Sequence, residues 1–110
     1  MMKLAMSPAA TAVLRALIFR SQAERNRILL IEAQSTDWQS LTFEGEQHRM
    51  TLRIVGEDAP EIADRLCGGI EEAELSSGGL IVADISVEQR VSTGDGNVEV
   101  TVAALTIAAD

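Results

Sequence analysis

Trp38-Gln39-Ser40-Leu41-Thr42-Phe43-Glu44-Gly45-Glu46-Gln47-His48-Arg49-Met50-Thr51-Leu52-Arg53-Ile54-Val55 is the stretch that decides the fold. Two β-forming runs, Trp38 to Phe43 and His48 to Val55, flank a short polar segment containing one glycine. Glycine at the first central position suits a type II′ turn, so Gly45-Glu46 is predicted to close a two-residue hairpin. That turn would pair Phe43 with His48, Leu41 with Met50 and Gln39 with Leu52 on a mostly apolar face. The opposite face would hold Thr42 with Arg49, Ser40 with Thr51 and Trp38 with Arg53. Trp38 would then lie exposed beside Arg53, where a guanidinium can stack on the indole. An exposed tryptophan of that kind has the character of an interface anchor, although it could equally cover a sheet edge within its own subunit.

Upstream, Ser7-Pro8 is a helix start: the serine hydroxyl caps free N–H groups, and proline in the first turn gives up a donor that has no partner there. Ala10, Val13, Leu14, Leu17 and Ile18 follow at helical spacing, with Arg15 and Arg20 pointing away, so a helix is predicted from Pro8 to Ala23 or Glu24. Ile28 to Ala33 is apolar and rich in β-formers, and reads as a separate short strand or a continuation of the helix. Downstream, Asp58 is placed to cap a helix beginning near Ala59-Pro60, with Ile62, Ala63 and Leu66 as its apolar stripe. Gly68-Gly69 ends it. Residues 70–79 read as an acidic connection through Glu71, Glu72, Glu74 and the Gly78-Gly79 turn.

Leu80 to Val91 and Val98 to Ile107 alternate as strands around Asp95-Gly96, a type I′ hairpin pair. In that register Val91 faces Val100, Gln89 faces Val102 and Val87 faces Ala104. The other face carries Leu80, Val82, Leu105 and Ile107, an apolar set that in a monomer would lie beside water. The predicted fold class is α+β in a single domain, 1–110. It has one antiparallel sheet with both helices on one face, in the order α-β-β-β-α-β-β.

With 110 residues the chain can form one core but not two. Its aromatics are only Phe19, Trp38 and Phe43, so the core must come from Val, Ile, Leu and Ala. A lone cysteine, Cys67, allows no intrachain disulfide and makes an intracellular setting the default expectation. Pro8 and Arg15 interrupt the apolar run after Lys3, so no signal peptide is expected, and no segment approaches the roughly 18 apolar residues of a membrane span.

Net charge is −8 and unevenly spread. Residues 1–27 hold Lys3, Arg15, Arg20, Arg25 and Arg27 against Glu24 alone, a net of +4; the rest holds four arginines against sixteen acids, a net of −12. The plain interpretation is a solvated surface. The sharper one is that the basic end of one copy meets the acidic body of the next, making Arg15 and Arg20 candidate interface residues beside Trp38 and Arg53. An acidic body repels phosphates, so sequence-specific nucleic-acid binding is not expected.

Nothing along the chain dictates a chemistry. His48 and Cys67 would form a nucleophilic pair only if the fold brought them together; otherwise His48 is a partly buried strand residue and Cys67 a small filler. Glu71, Glu72 and Glu74 are a solvated charge run, and Asp95-Gly96-Asn97 lacks the spaced carboxylates of a calcium loop. The glycine pairs do not lie between a strand and a helix start, where phosphate would bind. No catalytic, cofactor or metal residue is therefore assigned.

Ser35-Thr36-Asp37-Trp38-Gln39-Ser40, followed by Gly45-Glu46-Gln47-His48-Arg49-Met50-Thr51-Leu52, resembles the tail completion proteins of tailed phages and phage-like gene transfer agents, also called tail terminators or head-tail connectors. The resemblance rests on the Asp-Trp pair, the short turn and the strand after it. It implies a non-enzymatic, ring-forming structural subunit of a phage, prophage remnant or transfer agent, with copies of itself, tail-tube proteins and connector proteins as partners. The location expected is the cytoplasm or a phage-like particle. The alternative is a cytoplasmic homodimeric binding module.

Overall fold

Ser7 begins the first helix as predicted: its hydroxyl accepts the Ala10 N–H at 3.1 Å, and helix α1 runs Pro8–Ser21. The computed structural model describes residues 6–76 and 79–108. Lys3, which contributes to the basic end, and Gly78 of the predicted Gly78-Gly79 turn lie outside them. Helix α1 stops two or three residues before the predicted end because Gln22 turns left-handed (φ 58°) and its N–H returns to the Phe19 carbonyl. Helix α2 spans Ala59–Cys67. The four strands are β1 (Ile28–Gln39), β2 (Glu44–Ile54), β3 (Leu80–Ser92) and β4 (Val98–Ala108), joined in one antiparallel sheet of order β1-β2-β4-β3.

The α+β class and the single sheet stand, but the element order is α-β-β-α-β-β. Residues 28–33 and 38–43, predicted as two strands, belong respectively to one continuous strand and to its end and turn. The turn itself is Ser40–Phe43: Ser40 N–H bonds the Phe43 carbonyl at 2.8 Å, and the Ser40 hydroxyl accepts the N–H groups of Thr42 and Phe43. Neither Leu41 nor Thr42 has a positive φ, so the hairpin needs no glycine. The expected Gly45-Glu46 turn is therefore wrong. His48 pairs with Ser35, Met50 with Ala33 and Leu52 with Leu30. That register brings Ile28, Leu30 and Ala33 beneath the helices.

The second hairpin also differs. Gly94-Asp95-Gly96 form a three-residue loop between Thr93 and Asn97, with Gly96 at φ +88°, a geometry that adds one residue to the two-residue turn. Val91 consequently faces Glu99, not Val100, and turns to the open side of the sheet. Irregularities between Val87 and Gln89 and between Val82 and Asp84 then shift the register twice more. Val87 ends opposite Val102, Gln89 opposite Thr101, and Val82 packs against the core instead of joining Leu105 and Ile107.

Both helices cover one face, as predicted. Ala10, Val13 and Leu17 of α1 and Ala59, Ile62, Ala63 and Leu66 of α2 pack over Met50, Leu52, Ile54, Val98, Val100 and Val102. Ile70, in a 3-10 turn at Ile70–Glu72, adds to this core, so the segment read as a connection is anchored. Gly69 precedes it at φ +67°, where the left-handed backbone favours glycine.

The helices also cap each other. The Arg20 guanidinium donates to the carbonyls of Leu66 (3.0 Å) and Gly68 at the end of α2. Arg65 of α2 donates to the Ser21 carbonyl at the end of α1 (2.8 Å). Helix C-termini leave carbonyls unpaired, and this exchange satisfies them with cations of the favourable sign. Asp58 sits at the N-cap position of α2, but its carboxylate pairs with Arg27 instead of capping. No helix among the described residues is long and apolar enough to cross a membrane.

Candidate functional site: the open sheet face and hairpin tip

The strands alternate, so every residue facing away from the helices lies on one open surface. In the half near the Val98 end, that surface carries a polar ladder flanked by the exposed Leu29 and Val91. Arg53 donates twice to Glu99 (3.0 and 2.8 Å), Thr51 bonds Thr101 at 3.0 Å, and Arg49 reaches Glu88 at 2.8 Å. Towards the β1–β2 turn the surface becomes apolar. Ile81 and Ile107 border a depression with Leu41 and Phe43 of the turn. Leu41 is fully exposed and Phe43 is 51% exposed, and no helix covers them.

The residues expected at an interface are distributed differently from the prediction. Trp38 pairs with Gly45 and Arg53 with Leu29, at opposite ends of the β1–β2 ladder, so Trp38 and Arg53 do not stack. The register shift that corrected the hairpin separates them. Trp38 is half-buried and shares a shallow depression with Pro8, Ala9 and Glu44. Arg53 is held by Glu99, and Arg20 by the end of α2. Arg15 alone of the four is exposed with no hydrogen bond or ion pair among the described residues. Leu41 and Phe43 were assigned to an apolar strand face, and only the true register expels them to the tip.

His48 and Cys67 are not brought together. His48 is 4% exposed, with Nδ1 2.7 Å from the Ser35 hydroxyl and Nε2 2.8 Å from the Thr106 hydroxyl. Burial lowers its pKa below the ordinary 6.5, with the Glu46 carboxylate opposing the shift. A hydroxyl at this distance from an imidazole is also the geometry of an activated serine. Here, however, the base is weakened by burial, and Thr106 takes the position a carboxylate orienter would occupy. The arrangement is a cross-strand clamp over β1, β2 and β4. Cys67 lies at the end of α2 beside Ile70 and Val87, and burial raises its thiol pKa above the usual value, which makes it a poor nucleophile. Among the described residues no group of three His, Cys, Asp or Glu is placed to hold a metal.

The charge split also has a shape. Arg27 is tied to Val55 and Asp58, and Arg90 to Pro60 and Asp64, so with those above seven of the nine arginine and lysine positions are spoken for or undescribed. Arg15 and Arg25 remain, both beside an open groove along α1 that includes Phe19, 81% exposed. Comparison with protein-family models, with curated proteins and with solved structures yields no match to this chain.

Proposed function

We propose that this chain is a non-enzymatic structural subunit that assembles with copies of itself into a ring of the tail-terminator or head-tail-joining kind. One observation carries the reading: helices cover one face of the sheet, and the other ends in an uncovered apolar cluster of Leu41, Phe43, Ile81 and Ile107. Exposed apolar clusters of this type mark contact surfaces. The resemblance around Asp37-Trp38 and the following strand points to the same class of assembly. A net charge of −8 suits a subunit around a DNA passage, because an acidic wall does not hold phosphates.

Chromatography coupled to light scattering over a range of concentrations tests this. A mass several times the 11.8 kDa of one chain, with rings in electron micrographs, is the expected result. A strict monomer at every concentration overturns the proposal, and a strict dimer transfers support to a homodimeric binding module.

A further inference from the structure

We propose that the β1–β2 hairpin tip of one copy seats in the α1 groove of the next, a head-to-tail contact. This rests on the self-assembly reading above and names the two surfaces that would make it.

The groove side is Phe19 with Arg15, one helical turn away on the same face of α1, and Arg25 just beyond the helix end. Glu74 lies at its rim but forms no ion pair with either arginine. Nearly every other cation of the described chain is consumed by a neighbour, yet these two are left beside an exposed aromatic. Arginine and aromatic side chains together are the composition of interface centres.

The tip side carries the complementary set. Leu41 and Phe43 are its apolar end, and Asp37, Glu44 and Glu46 lie immediately behind them. Asp37 stands directly opposite Glu46 in the β1–β2 ladder, a like-charge pair that destabilises a sheet. No arginine among the described residues lies within ion-pair distance of Asp37, Glu44 or Glu46. An incoming pair of guanidiniums would relieve that repulsion. Of the chain's three aromatics, Phe19 and Phe43 are the two more than half exposed, one at each surface.

The two surfaces cannot meet within one chain. Pro8 and Ala9 at the start of α1 lie beside Glu44 and Glu46, whereas Phe19 is eleven residues along the helix, roughly 16 Å away at 1.5 Å per residue. A contact between different patches of identical copies propagates, closing into a ring where the rotation allows.

Two variants of the full chain test the contact: Arg15→Glu with Arg25→Glu in the groove, and Leu41→Ser with Phe43→Ser at the tip. All four positions are exposed, and circular dichroism melts check that both variants fold. Sedimentation velocity should show each variant associating at least tenfold more weakly than the unmodified chain. An equimolar mixture should form a complex of two chains and nothing larger, because each variant retains one working surface. If either variant assembles like the unmodified chain, or the mixture stays monomeric, this contact is wrong while the assembly reading survives. An unmodified chain that never associates overturns both.

Discussion

His48 shows how a polar residue is accommodated under a small sheet. Both ring nitrogens meet hydroxyls, so the side chain is buried without an unpaired group. Its folded pKa is lowered, so the unfolded chain takes up a proton that the native state resists. Stability from this residue is therefore complete above pH 6.5 and declines as the pH falls below it, until the folded-state pKa is passed. Urea denaturation at pH values on either side of 6.5 should show a lower midpoint on the acid side, and His48→Asn should flatten that difference. An unchanged slope in the variant would assign the effect elsewhere.

Gly45 is the second informative residue. It has no positive φ and sits inside β2, where a Cβ would come within 1.9 Å of the Thr106 carbonyl oxygen. The glycine is required by close approach of β4, not by a turn. Gly45→Ala should destabilise the fold by about 1–3 kcal/mol, as overpacking does, read as a lower denaturation midpoint. A neutral result would mean the strands separate at this end without penalty.

Among the elements, the two helices depend on each other. Arg20 and Arg65 exchange hydrogen bonds to the partner helix's terminal carbonyls, so the end of each helix is completed by the other. Arg20→Met keeps much of the side-chain volume and removes the donors. It should cost about 1–3 kcal/mol, since a charged donor's hydrogen bonds to a part-buried and an exposed carbonyl are lost. Hydrogen exchange should localise the loss to the last turn of α2 and to Ile70; uniform loss of protection would instead indicate a general weakening of the core. The helices were legible in advance because capping and 3.6-residue periodicity are local signals, and Ser7, Pro8, Val13 and Leu17 carry them. The exchange of caps was not, since it joins residues 46 positions apart.

At the scale of the whole molecule, the unpaired basic side chains among the described residues narrow to Arg15 and Arg25, while Asp37, Glu44 and Glu46 have no ion-pair partner among them. Association that depends on these groups should weaken as salt is raised from low to physiological ionic strength, since the screening length shrinks to about 8 Å at 0.15 M. Light scattering across a salt series reads this directly. Association that does not respond to salt would leave Leu41, Phe43 and Phe19 as its sole basis. The candidate surface was only partly visible beforehand. Arg15 and the placement of Leu105 and Ile107 on the open face, where both are half-buried, were anticipated, while Arg20 and Arg53 were removed from it by partners distant in sequence.

Sequence alone determined the α+β class, both helices, and the inward faces of β2 and β4, because the alternation of Met50, Leu52 and Ile54 and of Val98, Val100 and Val102 states which side is apolar. It could not state which residue lies opposite which. Displacing the first hairpin by an even number of residues keeps every β2 side chain on the same face, so the pattern is blind to the shift that moved Leu41 and Phe43 from the sheet to the turn. Tertiary structure made that choice: the observed register carries Ile28, Leu30 and Ala33 to the helices, and the resulting burial outweighs the local preference of a glycine for a turn.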